Sequence, residues 1–195
     1  MASETNIIIP TVLSLENISE KELHSRTFDA LSAYFNVESE VWSDCRKGRI
    51  DMVMTHKSDI AMRYPIGIEV KKFNHKTGSD IAKWIQQAQS YSDMTWGAYG
   101  KILVIVAPQM SGYVFSEGTM TNANHVDKQG RPVPHHNFST FLGQFRIGEM
   151  QTYYWEDYPT GKLSKRMRIV CKGWTLWDQS YDDIRTAHYD RICKK

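Results

Sequence analysis

The stretch from Arg49 to Lys72, RIDMVMTHKSDIAMRYPIGIEVKK, constrains this chain more than any other, because it places charges inside two strongly apolar strands. Side chains alternate between the faces of a strand. In the first strand, Arg49, Asp51 and Val53 therefore share one face, and Ile50, Met52 and Met54 share the other. In the second, Ile66, Ile68 and Val70 enter one layer while Gly67, Glu69 and Lys71 point the opposite way. Three ionisable groups, Asp51, Glu69 and Lys71, can thus converge across neighbouring strands. Charges in such a setting are costly unless they pair or bind a cation.

Two carboxylates and a lysine form a recognisable chemical set. Carboxylate oxygens suit Mg²⁺, a hard ion that keeps several waters. A lysine ammonium can sit beside a phosphate or an attacking water. Together they are the groups needed for phosphodiester hydrolysis. Glu69 is the one acidic residue in the sequence followed two positions later by Lys.

Past the FNHKTG loop, Ser79 or Asp80 is placed to cap a helix. Ile81, Trp84, Ile85, Ala88 and Tyr91 or Ser92 follow at helical spacing. Gln87 and Tyr91 stand four apart and share a face of that helix. KILVIVAP, residues 101–108, then reads as a strand buried on both faces.

Ile50-Asp51 followed by Glu69-Val70-Lys71 resembles the PD-(D/E)XK nuclease superfamily, with Ile at the family's loosely kept Pro position. Gln87-Ala88-Gln89-Ser90-Tyr91 is similar to the extra motif of its RecB-like and phage-exonuclease branch, where the Gln and Tyr line the active site. The resemblance covers the first half of the chain. It implies an α/β fold with a restriction-endonuclease-like core, a central mixed β-sheet flanked by helices, over 1–108. Residues 109–195 then complete the same domain with a loop, a C-terminal antiparallel hairpin extension and a helix.

The resemblance also implies a site. Asp51, Glu69 and the Val70 carbonyl would hold one or two Mg²⁺ (or Mn²⁺) ions, and Lys71 would orient or activate the attacking water. Gln87 and Tyr91 would position the phosphate or an adjoining base. A Glu from the first core helix completes the metal site in many members; here Glu22 is the candidate and Glu20 its rival. Lys72, His75, Lys76 and Lys83 lie where contacts to a nucleic-acid backbone are expected. Arg46, Lys47 and Arg49 either touch phosphates or simply solvate their turn.

The implied function is a Mg-dependent deoxyribonuclease, an exonuclease or structure-selective enzyme of recombination, repair or phage DNA processing. A Holliday-junction-type resolvase, working as a homo-oligomer, is the enzymatic alternative. A non-catalytic nucleic-acid-binding or protein-docking module on the same fold is the other. DNA is the expected partner, and a recombination or replication protein a further one.

The remaining sequence adds context. SEKELHSRTFDALSAYF reads as an amphipathic helix with Leu23, Thr27, Ala30, Leu31 and Tyr34 on its core stripe, and Asn36 to Trp42 as a first strand. Residues 112–136 read as a long loop, whose His125, His135 and His136 read as loop or helix-start residues rather than metal ligands. Phe138 to Phe145 reads as a short helix. A hairpin turning at Tyr158-Pro159-Thr160-Gly161 follows, then a C-terminal helix capped near Asp182. On the return strand Met167, Ile169 and Cys171 face one way and Arg166, Arg168 and Lys172 the other. Those cations, with Tyr153, Tyr154, Trp155, Trp174 and Trp177, form either a strand-tracking nucleic-acid surface or a satellite apolar cluster edged by solvated charge.

Charge is uneven. Residues 1–44 carry 2 basic and 8 acidic residues, whereas 162–195 carry 9 basic and 4 acidic, so nucleic acid should meet the centre and C-terminal part. With 195 residues and 41% hydrophobic content, one globular domain is expected. No run approaches a membrane-spanning length, and three widely spaced cysteines suit a reduced compartment, so a cytoplasmic setting without membrane contact is expected.

Overall fold

The computed structural model describes residues 19–71, 78–107, 141–157 and 162–193, with side chains over 19–71, 82–107, 141–151 and 166–193. The fold is mixed α/β. Helix α1 (Glu20–Ser32) leads into strands β1 (Phe35–Trp42), β2 (Arg49–His56) and β3 (Ile66–Val70). Helix α2 (Gly78–Asp93) and strand β4 (Leu103–Ala107) follow. Strands β5 (Ile147–Asp157), β6 (Lys162–Cys171), β7 (Trp174–Asp178) and β8 (Asp183–Ile184) precede helix α3 (Thr186–Cys193).

All eight strands belong to one sheet, ordered as they occur in the chain. β1, β2 and β3 form an antiparallel meander, β3, β4 and β5 run parallel, and β5 to β8 return to antiparallel pairing. The expected hairpin is therefore no appendage. Its first strand pairs directly with β4, so the second half of the chain extends the core sheet.

Each face of the sheet has its own apolar layer. On one, α1 and α3 pack Leu23, Leu31, Tyr189 and Ile192 against Met52, Met54, Ile66, Ile68 and Val70. On the other, Trp84, Ile85, Ala88 and Tyr91 of α2 cover Val53, Val104 and Val106. β4 is buried along its whole length, as its unbroken apolar run requires. Ile50 departs from the expected alternation, since it packs with the α2 layer rather than with Met52 and Met54.

The reason lies one residue on. In the β1/β2 ladder every position from Phe35 to Trp42 has its partner except Glu40, opposite Asp51. Glu40 has φ 54°, in the left-handed region that costs a non-glycine residue roughly 1 kcal/mol or more. The backbone is thus distorted at the position that carries Asp51.

The sheet curls until its two ends meet. Phe35 of β1 stacks edgewise on Trp177 of β7, with ring centroids 5.0 Å apart, although those strands stand six places apart in the sheet. Gln179 Nε2 donates to the Tyr34 hydroxyl at 2.8 Å, and His56 Nε2 lies 3.0 Å from Asp182 Oδ1. Asp182 therefore serves this closure. It precedes β8 and so does not cap the C-terminal helix, which begins at Thr186.

Other boundaries move slightly. Ser19 caps α1 as expected, its hydroxyl accepting from Glu22 N at 3.1 Å. α2 begins at Gly78, so Ser79 and Asp80 occupy its first turn rather than the cap position. Of the short helix expected at Phe138 to Phe145, residues 141–144 form one turn. The long loop with His125, His135 and His136, and the turn at 158–161, lie outside the described residues.

Removing one ring of the closure tests its weight. Phe35→Ala should destabilise the fold by about 3–5 kcal/mol, the usual cost of truncating a buried aromatic, measured by urea unfolding. A loss under about 1 kcal/mol would mean the Phe35 contact adds little to stability.

Candidate active site

The β2/β3 ladder ends at the pair Met52 and Ile68, one residue short of Asp51 and Glu69. Beyond it the strands part, and the Asp51 side chain fills the gap: Val70 N donates to Asp51 Oδ2 at 2.7 Å. Glu69 sits at the carboxyl end of β3, an end of a parallel pair where open α/β sheets commonly bind ligands.

Glu69 is only 2% exposed. Its Oε1 accepts from Lys71 Nζ at 2.7 Å, while its Oε2 is buried without a hydrogen-bond partner. Burial, and after it the nearby negative charge of Asp51, push the carboxyl from 4.5 up to about 7, against the opposing pull of Lys71. Burial alone would lower the Lys71 ammonium, but Glu69, Asp51 and Glu20 together outweigh it and hold Lys71 above its ordinary value. Lys71 is therefore a cation at neutral pH and a donor, not a proton acceptor.

From α2, Gln87 Nε2 donates to the Tyr91 hydroxyl at 2.7 Å, and that hydroxyl donates to the Arg49 carbonyl at 2.9 Å. Burial raises the Tyr91 phenol, and the charges of Glu69, Lys71 and Asp51 all act on it. Gln87, Tyr91, Asp51, Glu69 and Lys71 thus gather at one place, across three elements distant in sequence.

The two helical glutamates separate. Glu22 is engaged by Arg26 on the exposed side of α1, whereas Glu20 contributes to the field at Lys71. His24 of α1 was not anticipated; its Nε2 lies 3.4 Å from the Asp51 carbonyl.

A second buried group was also missed. Glu69, Val106 and Glu149 stand in register across β3, β4 and β5. Glu149 and Gln151 are both fully buried. Gln151 Nε2 donates to Glu149 Oε2 at 3.1 Å, and Arg168 Nε donates to Gln151 Oε1 at 3.0 Å. Strand parity alone puts Glu149 and Gln151 on one face, but nothing in the sequence marks that face as covered.

The expected nucleic-acid contacts are dispersed. Arg49 pairs with Glu40 at 3.4 Å and lies over the Trp42 ring, and Lys83 is exposed on α2. Arg166 donates to the Ser180 hydroxyl and Arg168 to Gln151, so both are tied into the sheet. Val70 is buried at the end of β3. Lys72, His75, Lys76 and the side chains of Tyr153, Tyr154 and Trp155 lie outside the described residues.

Among the described residues no three His, Cys, Asp or Glu side chains are grouped to hold a metal ion. A Mg²⁺ ion, which commonly keeps several waters, needs fewer protein ligands than that. Asp51, Glu69 and the Val70 carbonyl form an all-oxygen set suited to a hard cation, and Glu69 Oε2 is a buried acceptor that such an ion would satisfy. No helix among the described residues is long and apolar enough to cross a membrane. Compared with known protein families, curated proteins and solved structures, the chain gives no match.

Because the Glu69 carboxyl is raised in the fold, the folded state holds its proton more tightly than the unfolded chain. Stability from this group is full below pH 4.5 and is lost as pH rises through about 7, a cost on the order of 3 kcal/mol. Glu69→Gln should therefore gain stability relative to the parent as pH rises from 4.5 to 7 in metal-free buffer, read as melting temperature. A constant difference across that range would contradict the assignment.

Proposed function

We propose that the chain is a metal-dependent phosphodiesterase acting on DNA, an exonuclease or structure-selective nuclease built on a PD-(D/E)XK-like arrangement. The observation that carries this reading is the convergence of Asp51, Glu69, Lys71 and Tyr91, with Gln87 bonded to that tyrosine, where the buried Glu69 Oε2 lacks a partner. Hydrolysis needs stabilisation of the negative charge that builds on the phosphate and the leaving oxygen.

One or two Mg²⁺ or Mn²⁺ ions, held by Asp51, Glu69 and the Val70 carbonyl with Glu20 nearby, would supply Lewis-acid stabilisation of that charge. Lys71, kept protonated by its acidic neighbours, orients the attacking water or contacts a phosphoryl oxygen by donation. The Val70 N–H bond fixes one Asp51 oxygen. The Tyr91 hydroxyl, committed to the Arg49 carbonyl, holds Gln87 by accepting from its amide, so the two act as a rigid pair beside the scissile phosphate.

A second reading, a non-catalytic nucleic-acid-binding module, draws on the lack among the described residues of a third acidic side chain grouped with Asp51 and Glu69. End-labelled linear, closed circular and branched DNA, incubated with Mg²⁺ or with EDTA, separates the two. The enzyme should cleave only with the metal, and Asp51→Ala, Glu69→Ala and Lys71→Ala should each lower the rate by about 10²-fold or more while folding and DNA binding persist. Binding without cleavage of any substrate would favour the docking module.

A further inference from the structure

A second cluster of cations lies at the opposite end of the parallel strands. A cavity of about 320 Å³ opens there, lined by Arg63, Lys101 and Arg146, by Leu103 and Tyr189, and by one acidic residue, Asp93. It adjoins the Ile66 and Leu103 pair, whereas Glu69 and Lys71 lie toward the Val70 and Ala107 pair, roughly 13 Å along the ladder. The two places are distinct.

Arg63 and Lys101 are held in position rather than neutralised, and the Arg146 backbone is fixed beside them. Among the described residues no carboxylate forms an ion pair with Arg63, Lys101 or Arg146. The Arg63 guanidinium lies over the Tyr64 ring, which meets Tyr189 edge-on at 5.2 Å, and the Tyr189 hydroxyl donates to the Pro65 carbonyl at 2.6 Å. Lys101 Nζ donates to the Asp93 carbonyl at the end of α2. Arg146 has φ 58°, a conformation uncommon for a residue with a side chain, and its N–H donates to the Gly143 carbonyl at 3.0 Å.

Three like charges and one acidic residue line the concavity, so the cations repel one another and focus a net positive potential into it. An anion relieves that repulsion. Two guanidinium forks and an ammonium match the geometry of phosphate oxygens, and the volume accommodates a group of nucleotide size. We propose that this cavity is a binding site for a phosphate-bearing anion, separate from the carboxylate cluster. The phosphate comes either from a free nucleotide or from a nucleic-acid strand.

Calorimetric titration with pyrophosphate, AMP and a short single-stranded oligonucleotide at fixed ionic strength tests this without reading cleavage, so it stands apart from the nuclease assignment. Pyrophosphate should bind at one site per chain, at least tenfold more weakly to Arg63→Ala and to Arg146→Asn, and unchanged to Lys21→Ala, which removes an exposed cation of α1. Asn is chosen because it tolerates positive φ, and circular dichroism checks that both variants are folded. Sensitivity of AMP binding to the same substitutions would identify a free nucleotide as the source; sensitivity of the oligonucleotide without AMP binding would identify a strand phosphate. Absence of saturable pyrophosphate binding, survival of binding in both arginine variants, or its equal loss in Lys21→Ala would overturn the proposal.

Discussion

The ion pair between Glu69 and Lys71 is the interaction on which the rest of the site depends. A carboxylate that is 2% exposed pays a large desolvation cost, and one lysine offsets only part of it, since the carboxyl still sits near 7. Replacing such a pair with apolar side chains is often neutral or stabilising, so stability alone gives no reason to keep it. Several local features converge on the same spot. The strands separate one residue beyond Met52 and Ile68, Glu40 takes a positive φ opposite Asp51, and Val70 N turns to the Asp51 carboxylate. Strain and buried charge gathered at one place mark it as a candidate functional site.

The curl of the sheet explains how so small a chain supports that cost. Joining β1 to β7 through Phe35, Trp177 and Tyr34 encloses one apolar layer, with α1 and α3 packed inside it. The other layer, on the face that carries Glu69, is covered by α2 together with Trp96 and Leu142. Tyr91 therefore has two roles. Its ring packs on Trp96 within that layer, and its hydroxyl reaches the Arg49 carbonyl beside Asp51.

Much of this was legible in the sequence because period-2 alternation and helical spacing are strong where apolar and charged residues interleave. Ile66, Ile68 and Val70 divide from Gly67, Glu69 and Lys71 as alternation requires, and Leu23, Thr27, Ala30 and Leu31 are the buried stripe of α1. Ile50 escaped because alternation assumes regular backbone, and the ladder breaks at Asp51. Glu20 was ranked behind Glu22 because spacing cannot tell which residue of a first helical turn faces a distant strand. Glu149 and Gln151 gave no signal, since a buried polar residue looks like an exposed one until the covering element is known. Asp182 looked like a helix cap and instead meets His56, a contact between sheet ends that no local pattern encodes.

In the proposed site the partnerless Glu69 oxygen binds a cation together with Asp51. Titration of Mn²⁺ into the protein by calorimetry, repeated in buffers of different ionisation enthalpy near pH 6.5, tests it most directly. The account predicts saturable binding with proton release, because a carboxyl titrating near 7 must give up its proton to the metal. That release should vanish, and affinity fall sharply, in Glu69→Gln. Binding that is absent in the parent protein, or indifferent to Glu69→Gln, would contradict it.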